Sequence, residues 1–254
     1  MIAFVILKRL FSQNQSAFAM RILLLSFTCF WCIFAQAQIR LGLQGGYSRV
    51  TWTSVNATSS ASGDLYANTT SGLSGFQAGI VTEVSLSAKL VLRPGLFVSG
   101  KGTTFNRQSY FDTSSRAIWI QYVEVPVTLV YQVSLGKKAT GFVGGGLYAA
   151  QAFNGVEKGE SRTFSGESLI WNNVEFGSHN DGPVFQLLPT IIKSFDYGLT
   201  VLAGVELKGV QLLLTYSYGL NPLLPNGKPY NGNYTNSGLT ISAAYLINTK
   251  RRQF

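Results

Sequence analysis

Seven charged side chains in this chain are spaced so that they could act together. Arg40, Glu83, Arg93, Lys101, Glu124, Asp196 and Glu206 each fall on the polar side of a stretch in which apolar and polar residues alternate. Acids and bases gathered in one dry space can do one of two things. They can pass protons or ions along a path, or they can neutralise one another as a packed plug of salt bridges and hydrogen bonds. The plug is the expectation here, with Arg93 and Lys101 sharing the acids. Other chemistry is thinly represented. His179 is the single histidine and stands near Glu175, Ser178 and Asp181. A Ser-His-acid hydrolase could be drawn from that set, but neighbours in one loop rarely adopt triad geometry, and a solvated histidine is the expected reading. One histidine without cysteine makes a poor metal site. Neither a metal, a cofactor nor a catalytic residue is expected.

The charged residues have to be positioned by strands. Phe195–Asn221 shows the rule best. Phe195, Tyr197, Leu199, Val201, Ala203, Val205 and Leu207 share one face, with Asp196, Gly198, Thr200, Leu202, Gly204 and Glu206 on the other. This period of two is that of a strand between unlike environments. Lys208-Gly209 supplies a tight reversal. The second arm then sets Leu212, Leu214, Tyr216, Tyr218 and Leu220 against Gln211, Thr215, Ser217, Gly219 and Asn221. A soluble sandwich alternates too, but arms this long exceed the usual strand of about 5–6 residues. Strands of about 9–11 residues or more, apolar outside and aromatic at their ends, suit a barrel that spans a bilayer.

Composition agrees. The 254 residues are 46% hydrophobic and 12% charged, with a mean hydropathy of +0.18. That charge level lies well below the roughly 25% of soluble domains. The one apolar run is Ile22–Phe34, preceded by Arg21 and followed by Ala35-Gln36-Ala37. It reads as a secretory signal cut before Gln38, giving a leader over 1–37. Met20 begins that signal naturally, and residues 1–19 are then either an over-extended start or a long n-region. Cys29 and Cys32 both lie in the leader, so thiol and disulfide chemistry are not expected beyond it. Lys8, Arg9 and Arg21 account for three of the twenty basic residues, and the rest still outnumber the eleven acids. These bases are scattered without a stripe or motif. They point to anionic lipid headgroups and not to nucleic acid.

From residue 38 the alternation predicts strands near 39–52, 76–86, 90–102, 118–133, 140–152 and 239–247, besides the two arms of 195–221. Polar, Gly- and Pro-rich stretches at 53–72, 103–117, 153–182 and 222–237 read as outer loops, and the turns between the other strands are short. The expected architecture is all-β: a transmembrane up-and-down antiparallel β-barrel of about eight strands over 38–248, followed by a basic tail at 249–254. Bulges are expected at Gly45-Gly46 and at Pro94. The Gly144-Gly145-Gly146 run leaves the faces of the fifth strand undetermined. Tyr47, Trp52, Trp119, Tyr131, Tyr216, Tyr218 and Tyr245 fall at strand ends. They could be sugar-binding platforms, but they read as the aromatic girdle of a membrane barrel.

The segments LGLQGGYS (Leu41–Ser48), VLRPGLFVSGKG (Val91–Gly102), IQYVEVPVTLVY (Ile120–Tyr131) and FDYGLTVLAGVEL with YSYGLN (within Phe195–Asn221) resemble the PorT-like outer-membrane β-barrel family of Bacteroidetes. Tyr122–Pro126 and Tyr216–Leu220 are the most specific pieces. The resemblance implies a small barrel in the outer membrane and a connection to type IX secretion. The chain departs from the family pattern at Gly95, where a Glu is common, and at Lys250-Arg251-Arg252 before the terminal Phe254. The role expected is a monomeric, non-enzymatic barrel displaying loops to a surface ligand or to an envelope or secretion partner. A narrow solute channel and a lipid-modifying enzyme are the alternatives.

Overall fold

The computed structural model describes residues 38–54, 67–108, 112–136, 138–163, 166–177, 191–224 and 234–247. The leader, the terminal tail, His179, Ser178 and Asp181 lie outside these residues. Eleven strands follow in order: β1 Ile39–Ser54, β2 Ala67–Ser85, β3 Leu90–Gln108, β4 Asp112–Ser134, β5 Ala139–Thr163, β6 Gly166–Asn173, β7 Glu175–Phe176, β8 Ile191–Ile192, β9 Phe195–Leu207, β10 Val210–Gly219 and β11 Tyr234–Ile247.

Eight of them, β1–β5 and β9–β11, form a ring in which every neighbouring pair is antiparallel. The ring closes where β1 lies against β11, from Leu41 opposite Ile247 to Ser54 opposite Tyr234. Closure is obligatory in hydrocarbon, because an open edge would leave peptide groups with no water to bond.

The alternation read from the sequence is realised as two walls. Leu43, Phe76, Val98, Val127, Leu147, Leu199, Leu212 and Ile241 all stand exposed on the outer face. Their neighbours Gln44, Val81, Phe97, Thr128, Tyr148, Thr200, Leu213 and Thr240 are buried in the lumen. Large apolar side chains bare around a whole circumference make sense only against lipid. The glycine run resolves by pairing. Gly144 and Gly146 oppose lumenal Val130 and Thr128, while Gly145 opposes outward Val201. At the β9–β10 turn Lys208 and Gly209 both take positive φ, 53° and 85°. That is the primed turn whose twist matches the flanking strands.

Several expected boundaries shift. The sequence 103–117 is not a long loop, because β3 runs to Gln108 and β4 starts at Asp112. Ala67–Gly72 belongs to β2, and Tyr234–Ser237 belongs to β11. Most of the expected third loop is strand as well: β5 continues to Thr163 and turns back as β6. Polar composition suggested loops there because these extensions stand in water and need no lipid face. The expected bulge at Gly45-Gly46 is absent, since β1 keeps one register against both neighbours. The register also does not change across Pro94. The irregularities fall elsewhere, between Gly72 and Gln77 on β2 and at Phe153 on β5, the extra residue opposite the step from Gln121 to Tyr122. Both mark the level at which strands leave the apolar band.

Of the expected girdle, Tyr47, Tyr131, Tyr216 and Tyr245 are exposed on the outer face, and Trp119 and Tyr218 are half-buried there. Tyr47 packs edge-on against Phe76 and bonds Ser74 at 2.5 Å. Trp119 lies over Gly100, where a Cβ would come within 2.3 Å of the ring. Trp52 is a correction. It is fully buried against Phe105 and Tyr234, because its place on β1 has the parity of the lumen.

If the outer wall meets hydrocarbon, Val127→Arg near the middle of β4 should lower stability by about 2–4 kcal/mol. Urea unfolding in lipid bilayers, followed by tryptophan fluorescence, measures this.

Candidate functional site

The lumen is too narrow to leave a charge alone, and its charged residues gather in two groups rather than one. At the periplasmic end Arg40 and Glu83 face each other across β1 and β2 and are ion-paired. Arg40 also clasps Glu206, at 2.6 and 3.0 Å to its two oxygens. Arg93 donates to Glu83 Oε1 at 2.7 Å, to Gln211 Oε1 and, at 2.9 Å, to Gln44 Oε1. Gln211 returns its amide to Glu83 and Glu206, at 2.9 and 2.8 Å. Two guanidinium groups therefore balance two carboxylates. Forks and carboxylates match in geometry, so each oxygen of Glu206 finds a donor.

The second group lies nearer the outer end. Lys101 Nζ is 2.7 Å from Glu124 and 3.6 Å from Asp196. It also lies over the rings of Tyr148 and Tyr122, at 4.2 and 5.4 Å from their centroids. Asp196 accepts from the Tyr148 hydroxyl at 3.1 Å and from the Asn236 amide at 2.9 Å, and Ser99 donates to Glu124 at 3.2 Å. The expectation that Arg93 and Lys101 share all the acids is thus corrected. Arg40 is the hub of the first group, and Lys101 serves only the second. The separation follows from the strands: Arg93 and Lys101 are eight residues apart on β3, beyond the reach of a shared carboxylate.

Sequence reading overlooked Gln44, Gln211, Tyr122, Tyr148 and Asn236, which are uncharged partners of these ions. Their signal was parity, since every one falls on the lumenal side of its strand. It also overlooked the ion pair of Arg116 with buried Glu157, on β4 and β5 above the lipid band.

Between and beside the two groups the lumen is nearly full. Cavities of about 20 and 40 Å³ remain, the first beside Lys101, Glu124 and Tyr148, the second beside Gln44, Arg93 and Thr200. Each has room for one or a few waters and no more. Above the Lys101 group an apolar cap closes the mouth, built from Trp52, Ile118, Ile120, Val174, Ile192, Leu223 and Leu224. Four of these, Val174, Ile192, Leu223 and Leu224, come from segments between the ring strands, laid inward and held by backbone bonds, Val174 N–H to Gly155 at 2.9 Å, Lys193 N–H to Leu223 at 2.8 Å and Leu223 N–H to Tyr234 at 2.8 Å.

Outside the lipid band, β3–β6 continue as a twisted sheet. Among the described residues β6 pairs with β5 alone. Its outward face shows Leu169 and Trp171, 81% and 71% exposed, with Lys158 Nζ 4.1 Å from the Trp171 ring. Arg162 and Glu167 form an exposed pair at 2.9 Å on the same face.

A closed ring of eight antiparallel strands, greasy outside and charge-filled inside, defines a small outer-membrane β-barrel. The family model described as "Outer membrane protein beta-barrel domain" matches residues 34–224, and the chain belongs to that family. The protein resides in the outer membrane. Among solved structures it is similar to Ail, the attachment invasion locus protein of Yersinia pestis, at 9% identity over 83% of this chain and 99% of that one, with a TM-score of 0.33. It is also similar to Neisserial surface protein A, at 12% identity over 81% and 96% with a TM-score of 0.35. A third is OprG from Pseudomonas aeruginosa, at 12% over 84% and 98% with a TM-score of 0.43. No curated protein matches the chain.

Removing the single ammonium of the outer group leaves Glu124 and Asp196 buried without a counter-charge. Lys101→Met should therefore cost about 3–5 kcal/mol, and adding Glu124→Gln and Asp196→Asn should recover much of the loss. Equilibrium unfolding of the single and triple variants tests the pairing.

Proposed function

We propose that this protein is a non-enzymatic outer-membrane scaffold. Its plugged barrel holds an extracellular sheet for contact with an envelope or secretion-system protein. The observation that carries this reading is the continuation of β3–β6 past the lipid band, with Leu169 and Trp171 bare on the outward face. Apolar side chains bare on a strand in water, beside a strand edge, are where binding partners add on. Tryptophan next to a cation is also a frequent anchor of protein contacts. The filled lumen supports the same reading from the other side: the wall serves to hold the sheet in place. The resemblance to the PorT-like family makes a component of type IX secretion the partner class favoured here.

A photo-crosslinking residue placed at position 169 or 171 in living cells should give a discrete protein adduct, and one at lipid-facing position 127 should not. Failure of both extracellular positions to trap a protein overturns the scaffold reading. The alternative of a narrow channel has its own readout. The purified barrel in planar bilayers should be electrically silent, and steady unitary conductance would favour solute passage. A third class, lipid modification, predicts altered lipid A or phospholipid profiles when the gene is deleted, and unchanged profiles are expected.

A further inference from the structure

The outer wall is not uniformly smooth. On the periplasmic half of β4, β5, β9 and β10 a dent of about 670 Å³ opens toward the lipid. Its floor is made where two small outward residues fall on adjoining strands, Gly141 on β5 and Ala203 on β9. Val133 and Leu135 form one bank, Leu212 and Leu214 the other. Leu135 leaves the β4 end and folds back over Gly141, whose Cβ would meet it at 2.9 Å. It is a shallow depression, open to the lipid over most of its extent. In the membrane such a dent cannot stay empty, and its lining is wholly suited to hydrocarbon.

What lies at its mouth identifies the occupant. Ala139 on β5 is paired with Leu207 on β9. The next residue beyond each, at the periplasmic rim, is an exposed lysine: Lys138 and Lys208. Two exposed lysines thus end adjoining strands at the groove's periplasmic rim. The nearest acid on these strands, Glu206, is on the lumenal side and held by Arg40. A molecule with an apolar tail and an anionic head, entering from the inner leaflet, satisfies both parts. We propose that this groove is a specific site for an anionic phospholipid of the periplasmic leaflet. One acyl chain lies over Ala203 and against Leu135 where it covers Gly141, and the phosphate rests between Lys138 and Lys208. Packing of the chain supplies residence, and the paired lysines supply headgroup preference.

Native mass spectrometry of the detergent-folded barrel, titrated with phosphatidylglycerol or phosphatidylcholine, tests the proposal. The wild type should retain one phosphatidylglycerol in preference to phosphatidylcholine. Lys138→Gln with Lys208→Asn should lower that preference by about fivefold or more, while still retaining lipid. Asparagine is chosen at position 208 because it accepts the positive φ of the turn. Ala203→Phe fills the floor with an apolar side chain and should abolish the retained lipid of either headgroup. Heat-modifiable gel mobility checks that each variant is folded. Equal lipid retention by wild type and Ala203→Phe would overturn the proposal, leaving only non-specific annular lipid. So would a wild-type dimer that Ala203→Phe converts to monomer, because the occupant would then be a second copy.

Discussion

In hydrocarbon a peptide N–H or C=O has no water to fall back on, and an unmet group costs several kcal/mol. The ring of eight strands answers that constraint, and the seam between β1 and β11 closes it. Fourteen consecutive pairs join the first strand to the final one, and without them β1 and β11 would each keep an open edge. Glycines at Gly42 and Gly46 lie along this seam. A Cβ at either would press to within 2.7 Å of a β11 carbonyl, so backbones here approach more closely than a side chain permits.

Closing so few strands has a consequence for the interior. The lumen holds side chains and little else, and any ion inside it must be neutralised locally. The two groups do this differently. Around Arg40 and Arg93 the planar forks engage carboxylate oxygens directly, with Gln211 taking up what remains. Around Lys101 a compact ammonium is held by two acids and by the faces of two tyrosines, which are apolar enough to pack and polar enough to welcome a cation. Both arrangements tie strands that are distant in sequence, Arg40 to Glu206 and Lys101 to Asp196, and they act as cross-braces across the barrel. An apolar cap above and a small apolar cluster of Val81, Phe97, Phe142, Leu202 and Leu246 pack beside them.

Once strands rise above the lipid, the demand for an apolar outer face is lifted, but the ladder need not stop. In β4 and β5 it runs on past the bulge at Phe153, and the composition changes to Ser, Arg, Glu, Lys and Asn while the pairing persists. The same wall therefore serves two solvents. Its lower part is shaped by hydrocarbon, down to the groove at Gly141 and Ala203. Its upper part is shaped by water, and there Leu169 and Trp171 stand exposed.

The all-β class, the eight lipid-spanning strands and the inward parity of Arg40, Glu83, Arg93, Lys101, Glu124, Asp196 and Glu206 were legible in the residues. A period of two between unlike solvents writes itself into every spanning strand. The aqueous extensions were not legible, because with water on the outer face polar strand and polar loop have the same composition. Nor was the placing of Trp52, for a tryptophan at a strand end looks alike whether it turns to headgroups or to the lumen. Which acid meets which base, the inward fold of Val174, Ile192 and Leu223, and the placing of Gly141 and Ala203 on adjoining strands depend on register and closure. Those are set by pairings between strands far apart in the chain, and alternation along a single strand carries no information about its partner.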